Sequence, residues 1–209
     1  MGKPQNMAVA KQKSASVSHR RDQTRKDERI RRTRIQIDAA FVELLHRRHY
    51  GSIRVSDITK KAHIGRATFY AHYPDKDTLL RSQFDRIVAP MIGRAHGTSA
   101  IDATAFFDHI RTAPHFYKTL MGPEGGTAPG VLRDCFAGRA RQLLRLDGAK
   151  HGLKESTLCR FVASALVTVI ECWLEQGSRE TPAEVQTLFN NLVGPGLRSF
   201  TVPQILASR

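Results

Sequence analysis

Apolar residues recur at helical spacing along most of the chain. From Arg29 onward, Ile30, Ile37, Ala40, Phe41, Leu44 and Leu45 fall on one face of a helix, and Gly51 supplies the turn that ends it. Val55, Ile58 and Ala62 predict a short second helix against the first, with His63 and Ile64 in a turn. Gly65 to His72 follows as a third helix, anchored inward by Phe69. Pro74 stops it, because the ring removes a donor and restricts the preceding residue. Asp75 is placed to cap a fourth helix with Leu79, Leu80, Phe84, Ile87 and Val88 on one stripe.

Pro90, then Gly97, Thr98 and Ser99, interrupt this pattern and predict a kink and a joint. Helical spacing returns over Ile101 to Arg111 and Pro114 to Met121. Residues 122–130, GPEGGTAPG, read as a mobile loop; with no GK[ST] they do not make a phosphate-binding P-loop. Val131 to Leu146 is the next helix, with Leu132, Cys135, Phe136 and Leu143 on its face. Ser156 to Gln176 differs from the others in being apolar nearly all round, so it must be buried on more than one side. Gly177 ends it. Thr181-Pro182-Ala183-Glu184 then forms a capping box with proline at the first helical position. It opens a last helix through Val185, Leu188, Phe189, Leu192 and Val193, which Gly194-Pro195-Gly196 ends or breaks. No segment alternates convincingly as a strand, so the expected fold is all-α.

Charge narrows the choice of partner. The chain has 209 residues, is 41% hydrophobic and carries a formal charge of +14. Residues 1–34 hold 11 Lys and Arg against three Asp and Glu. Such a balance favours nucleic acid first and an anionic membrane second. Residues 1–24 are polar and aperiodic and are expected to be a disordered basic arm. The helix of Arg66, Thr68, Tyr70 and His72, next to that arm, suits a polyanion groove.

Catalytic chemistry finds less support. The three cysteines, Cys135, Cys159 and Cys172, form no CxxC pair and read as reduced core residues. His46 and His49 lie at a helix end without a carboxylate or Cys partner in sequence reach, and there is no HExxH or nucleophile motif. No cofactor, no metal and no enzymatic activity are expected. Phe161 to Ile170 falls short of the roughly 20 residues of a membrane helix, and no signal peptide is legible. A soluble, cytoplasmic protein is the expectation.

Ile30 to Leu80 resembles the DNA-binding domain of TetR-type transcriptional regulators. The resemblance rests on Phe41, on Val55-x-Asp57-Ile58, on Ala62-x-Ile64 and on Arg66-x-Thr68-Phe69-Tyr70-x-x-Tyr73-Pro74-x-Lys76-x-x-Leu79-Leu80. Trp173-Leu174-Glu175-x-Gly177, with Thr181-Pro182-x-Glu184 and His115-Phe116-Tyr117-Lys118, resembles the C-terminal domain of one subgroup. The chain departs from the family in having His63 where the turn glycine usually stands, Gly65 for the usual hydroxyl cap and Arg54 for Ser or Thr.

The resemblance implies an N-terminal three-helix helix-turn-helix domain and a C-terminal helical domain for ligand binding and dimerisation. The divisions are a 1–24 arm, a 25–84 DNA-binding domain and an 85–209 regulatory domain. It implies DNA contacts from Arg54, Ser56, Gly65, Arg66, Ala67, Thr68, Tyr70, His72 and Lys76. Arg66 is the expected base reader, since a guanidinium pairs with guanine O6 and N7. Tyr70, His72, Lys76 and Ser56 are expected on phosphates, and Arg20, Arg21, Arg25 and Lys26 should add salt-dependent affinity.

A homodimer is expected through Phe161, Ala165, Leu166, Val169, Leu188 and Leu192, reading a near-palindromic double-stranded operator. Phe84, Phe107, Phe116, Tyr117, Met121, Phe136 and Trp173 are candidates for the wall of an inducer pocket, although each also suits an ordinary core. The function implied is a sequence-specific regulator, a repressor released by a small-molecule inducer. The alternatives are a non-specific nucleoid-type DNA binder and, further off, an enzyme using a Cys/His site.

Overall fold

The computed structural model describes residues 5–94, 101–144 and 153–201. Helix α1 spans Gln5–Leu45, and a 3-10 turn, Tyr50–Ser52, leads to α2, Val55–Lys61, and α3, Arg66–His72. Helix α4, Lys76–Met91, leads to a two-residue antiparallel ladder of β1, Gly93–Arg94, and β2, Ile101–Asp102. Then come α5, Thr104–Thr112, α6, Pro114–Met121, and a second 3-10 turn, Pro123–Gly125. Helices α7, Ala128–Leu144, α8, Leu153–Glu175, and α9, Pro182–Thr201, complete the described chain. The fold is all-α, as expected.

Several boundaries differ from the sequence reading. The arm expected to be disordered is helical from Gln5. Between Gln5 and Thr24 there is no Gly or Pro, and Ala, Lys, Gln and Arg are strong helix formers. Residues 1–4 lie outside the described residues, as do Gly97, Thr98, Ser99 and Leu146. Ile30 is exposed rather than inward. Pro90 does not interrupt α4 but sits in its last turn. Beyond it, the buried Ile92 donates its N–H to the Val88 carbonyl at 3.0 Å, and Arg139 Nε donates to the Ile92 carbonyl at 2.8 Å. Likewise α9 continues through Gly194-Pro195-Gly196, because Val193 and Leu197 are both buried and hold the helix in the core. The 122–130 segment is not all loop, since it contains the second 3-10 turn and the start of α7.

One apolar cluster runs from Ile37 through Phe69, Phe84 and Phe106 to Leu197, so α1–α4 and α5–α9 share a core. Helix α4 belongs to both parts. Leu79 and Leu80 open its buried stripe, and Phe84 and Val88 continue it. Asp75 caps it, accepting from the Thr78 N–H at 2.6 Å.

A second junction joins the turn after α1 to the turn after α6. His49 Nε2 lies 2.6 Å from Glu124 Oε2, and Thr127 Oγ1 donates to Asp77 Oδ1 at 2.8 Å. Tyr50 Oη also donates to Asp77. Burial first, and this carboxylate second, push the Tyr50 phenol pKa up. Gly51 and Gly126 meet backbone to backbone: a Cβ on Gly51 would lie 2.8 Å from the Glu124 carbonyl oxygen.

Candidate nucleic-acid interface

The recognition segment is assembled from local signals. Arg54 is extended and donates its backbone N–H to Asp57 Oδ2 at 2.9 Å, closing the first turn of α2. That bond, and then Arg48 at 3.1 Å, hold the Asp57 carboxyl below its ordinary range. After α2 the chain reverses through His63 at φ 53°, a left-handed conformation that histidine adopts more readily than β-branched residues do. This satisfies the turn without the glycine usual at that place. Gly65 is extended, and its carbonyl accepts from the Phe69 N–H at 3.2 Å, starting α3.

Two aromatic side chains fix the underside of α3. Phe69 is fully buried and lies 6.0 Å from the ring of Tyr73, the residue that ends the helix. Above them, Gly65, Arg66, Ala67, Thr68 and Tyr70 are exposed, and His72 is half-buried. Six of the expected DNA-contacting residues thus come together on this short segment. Arg54 is exposed and Ser56 half-buried at the start of α2. Arg25 and Lys26 are exposed on α1, whereas the side chains of Arg20 and Arg21 lie outside those described.

Lys76 is placed differently from the expectation. Its Nζ donates to the carbonyls of Tyr50 at 3.0 Å and Ile53 at 2.9 Å, and stands 4.2 Å from the centre of the Tyr50 ring. Burial lowers its pKa. The ammonium clasps the turn after α1 to the start of α4 instead of pointing toward a phosphate.

One group had no signal in the sequence reading. Asp38, buried on α1, accepts from Tyr73 Oη at 2.8 Å, Gln83 Nε2 at 2.9 Å and Arg86 Nη1 at 2.8 Å. Tyr73 Oη in turn accepts from Arg34 Nε at 2.9 Å. These partners are 35 to 48 residues from Asp38 in sequence, so no local motif links them.

The far end of the molecule presents another kind of face. Phe161 on α8 is 55% exposed, and Leu188 and Leu192 on α9 are 52% and 58% exposed. Ala165 is half-buried. Of the residues expected at a dimer contact, Leu166, at 2%, and Val169 are instead buried within this chain. An open groove of about 290 Å³ runs along this face past Cys172, Trp173, Leu188 and Leu192. Cys172, expected in the core, is exposed there, whereas Cys135 and Cys159 are buried. Burial pushes the Cys135 thiol up to about 12. Glu155–Glu175 of α8 is long and apolar enough to cross a membrane by length and composition, though over half of it is buried inside the protein.

The residues expected to line a pocket lie almost entirely inside the protein. Phe84, Phe107, Tyr117, Met121, Phe136 and Trp173 are buried, and Phe116 is half-buried. Phe106 meets Phe136 edge-on at 5.3 Å, and Phe107 meets Trp173 edge-on at 5.9 Å. The Tyr117 hydroxyl is buried among these rings with no hydrogen-bond partner. A cleft of about 430 Å³ lies elsewhere, between α4 and α7, bordered by Arg81, Asp85, Asp134, Arg139 and Gln142. Among the described residues, no group of three or more His, Cys, Asp or Glu is arranged to hold a metal ion.

Residues 37–82 match the family described as bacterial regulatory proteins, tetR family. The HTH-type transcriptional regulator YxbF of Bacillus subtilis (strain 168), itself uncharacterized, is 40% identical over 171 residues. The match takes in 75% of this chain but only 43% of that relative's length. A TetR transcriptional regulator from Streptococcus agalactiae 2603V has a similar fold, with a TM-score of 0.55 at 23% identity over 80% of this chain and 97% of that one. Another from Rhodococcus sp. RHA1 gives 0.50 at 13% identity over 82% and 98%. Fold and site together define a helix-turn-helix protein with an appended helical domain. Residues 37–82 carry the DNA-binding region of the TetR family, and the chain as a whole shares the fold of the TetR regulators just named.

Proposed function

We propose that this chain is a cytoplasmic, homodimeric, sequence-specific DNA-binding transcriptional regulator without enzymatic activity. The observation that carries the reading is the outer face of α3, where Arg66, Thr68 and Tyr70 stand exposed on a helix pinned from beneath by Phe69. Phosphate contacts from Arg54, Ser56, Tyr70, His72 and the basic part of α1 fix the register, and Arg66 and Thr68 read base edges. One such segment covers few bases. Two copies joined through Phe161, Leu188 and Leu192 would read a near-palindrome with half-sites one or more duplex turns apart. The protein acts as a repressor, and a small molecule bound in the C-terminal part releases it by favouring the conformer whose recognition helices are badly spaced.

Selection of bound fragments from random and genomic DNA tests this reading. Recovery of one near-palindromic sequence, bound at moderate salt far more tightly than its scrambled version, is expected. Equal, steeply salt-dependent binding of all fragments would instead identify a nucleoid-type protein.

A further inference from the structure

We infer that Asp38 is a positioning residue that locks the recognition helix to α4 and thereby sets the spacing between half-sites the dimer accepts. The inference rests on the regulator reading above. Asp38 is only 8% exposed, yet its carboxylate accepts three hydrogen bonds from two other elements. Tyr73 Oη comes from the end of α3, and Gln83 Nε2 and Arg86 Nη1 come from α4. A buried carboxylate left without partners is costly, so this arrangement favours one relative placement of α3 and α4.

The same helix α4 is tied to the regulatory part by polar contacts further along. Arg81 Nη2 meets Asp134 Oδ2 at 2.9 Å, and the Ile92 carbonyl just past α4 accepts from Arg139 Nε at 2.8 Å. A continuous series of bonds therefore leads from α7 through α4 and Asp38 to Tyr73, at the foot of the base-reading face. Each copy in a dimer carries this series, so the separation of the two α3 helices depends on it. Loosening Asp38 leaves the α3 surface itself unchanged, because Arg66, Thr68 and Tyr70 make none of these bonds.

The test uses the operator selected by the full-length wild-type chain, versions with one or two base pairs added or removed between half-sites, and an isolated half-site. Asp38→Asn, Tyr73→Phe and Arg86→Gln are compared with wild type; Arg86 is half-exposed in its side chain, so its variant keeps the fold if Asp38→Asn does not. The expected result is a loss of about tenfold or more in preference for the native spacing, within the usual range of coupling between sites, with half-site affinity unchanged. An intact preference in the folded variants overturns the inference. So does a fall in half-site affinity and melting temperature with the spacing preference preserved, since that marks a purely structural role. If the wild type itself selects no operator, it is the regulator reading that fails.

Discussion

The outer face of α3 and the α8–α9 face are both exposed, but they are exposed for opposite reasons. On α3 the outward residues include the Arg66 guanidinium, the Thr68 hydroxyl and the Tyr70 phenol, all with unspent hydrogen-bonding capacity. On α8 and α9 they are Phe161, Leu188 and Leu192, each more than half open to solvent. A polar face costs little in water and gains from meeting phosphates and base edges. An apolar face gains from leaving water altogether, so its natural partner is another apolar surface such as its own copy. One chain thus displays two exposed surfaces of opposite chemistry at once.

The sharpest break should come at the apolar end. Leu188→Glu combined with Leu192→Glu is expected to sediment as a single folded subunit. Losing the linked second site should weaken operator binding by about 10²–10⁴-fold. Leu166→Glu should unfold the chain instead, because Leu166 is buried within it; a folded monomer of that variant would reassign the residue to the contact. At the polar end, Arg66→Ala should leave the dimer intact and cut discrimination between selected and scrambled DNA by about 1–3 kcal/mol. Unchanged preference in a binding titration would remove Arg66 as a reader.

Smaller effects separate the polar face from what supports it. Lys76→Met should lower stability by about 1–3 kcal/mol in denaturant titrations, because two carbonyls lose their donor. It should leave the salt dependence of DNA binding unchanged, and a shallower slope would return Lys76 to the phosphate contacts. Asp75→Ala should cost about 1 kcal/mol through the lost cap. The Thr78 N–H holds the Asp75 carboxyl below its ordinary value. Its contribution is therefore complete above that ordinary value and disappears as pH falls through the lower, folded one. Wild type and variant should converge in acid and differ near neutrality.

The helix-turn-helix and the start of α9 were legible because their signals are local. Phe69 inward, Pro74 as a stop, Asp75 as a cap and the Thr181–Glu184 box can each be read within a few residues, and the structure contains all four. Helix α8 was legible only in outline. An apolar circumference announces burial on several sides but not which side meets its own chain, so Leu166 and Val169 were grouped with Phe161. The aromatic residues expected around a pocket are of the same types as those that fill a core, so sequence alone does not separate the two roles. Lys76 sits where the family motif places it, and only the turn at Tyr50–Ile53, more than twenty residues earlier, explains why its charge points inward. The Asp38 contacts span too much sequence for any spacing to announce them.

The meeting of Gly51 with Gly126 has a consequence for genetics. Where two backbones touch, even the smallest added side chain is a wedge, and alanine at position 51 would force apart the turns that follow α1 and α6. Random mutagenesis screened for loss of DNA binding should therefore enrich substitutions at these two glycines. Such alleles would lie outside α3 and act through the fold alone.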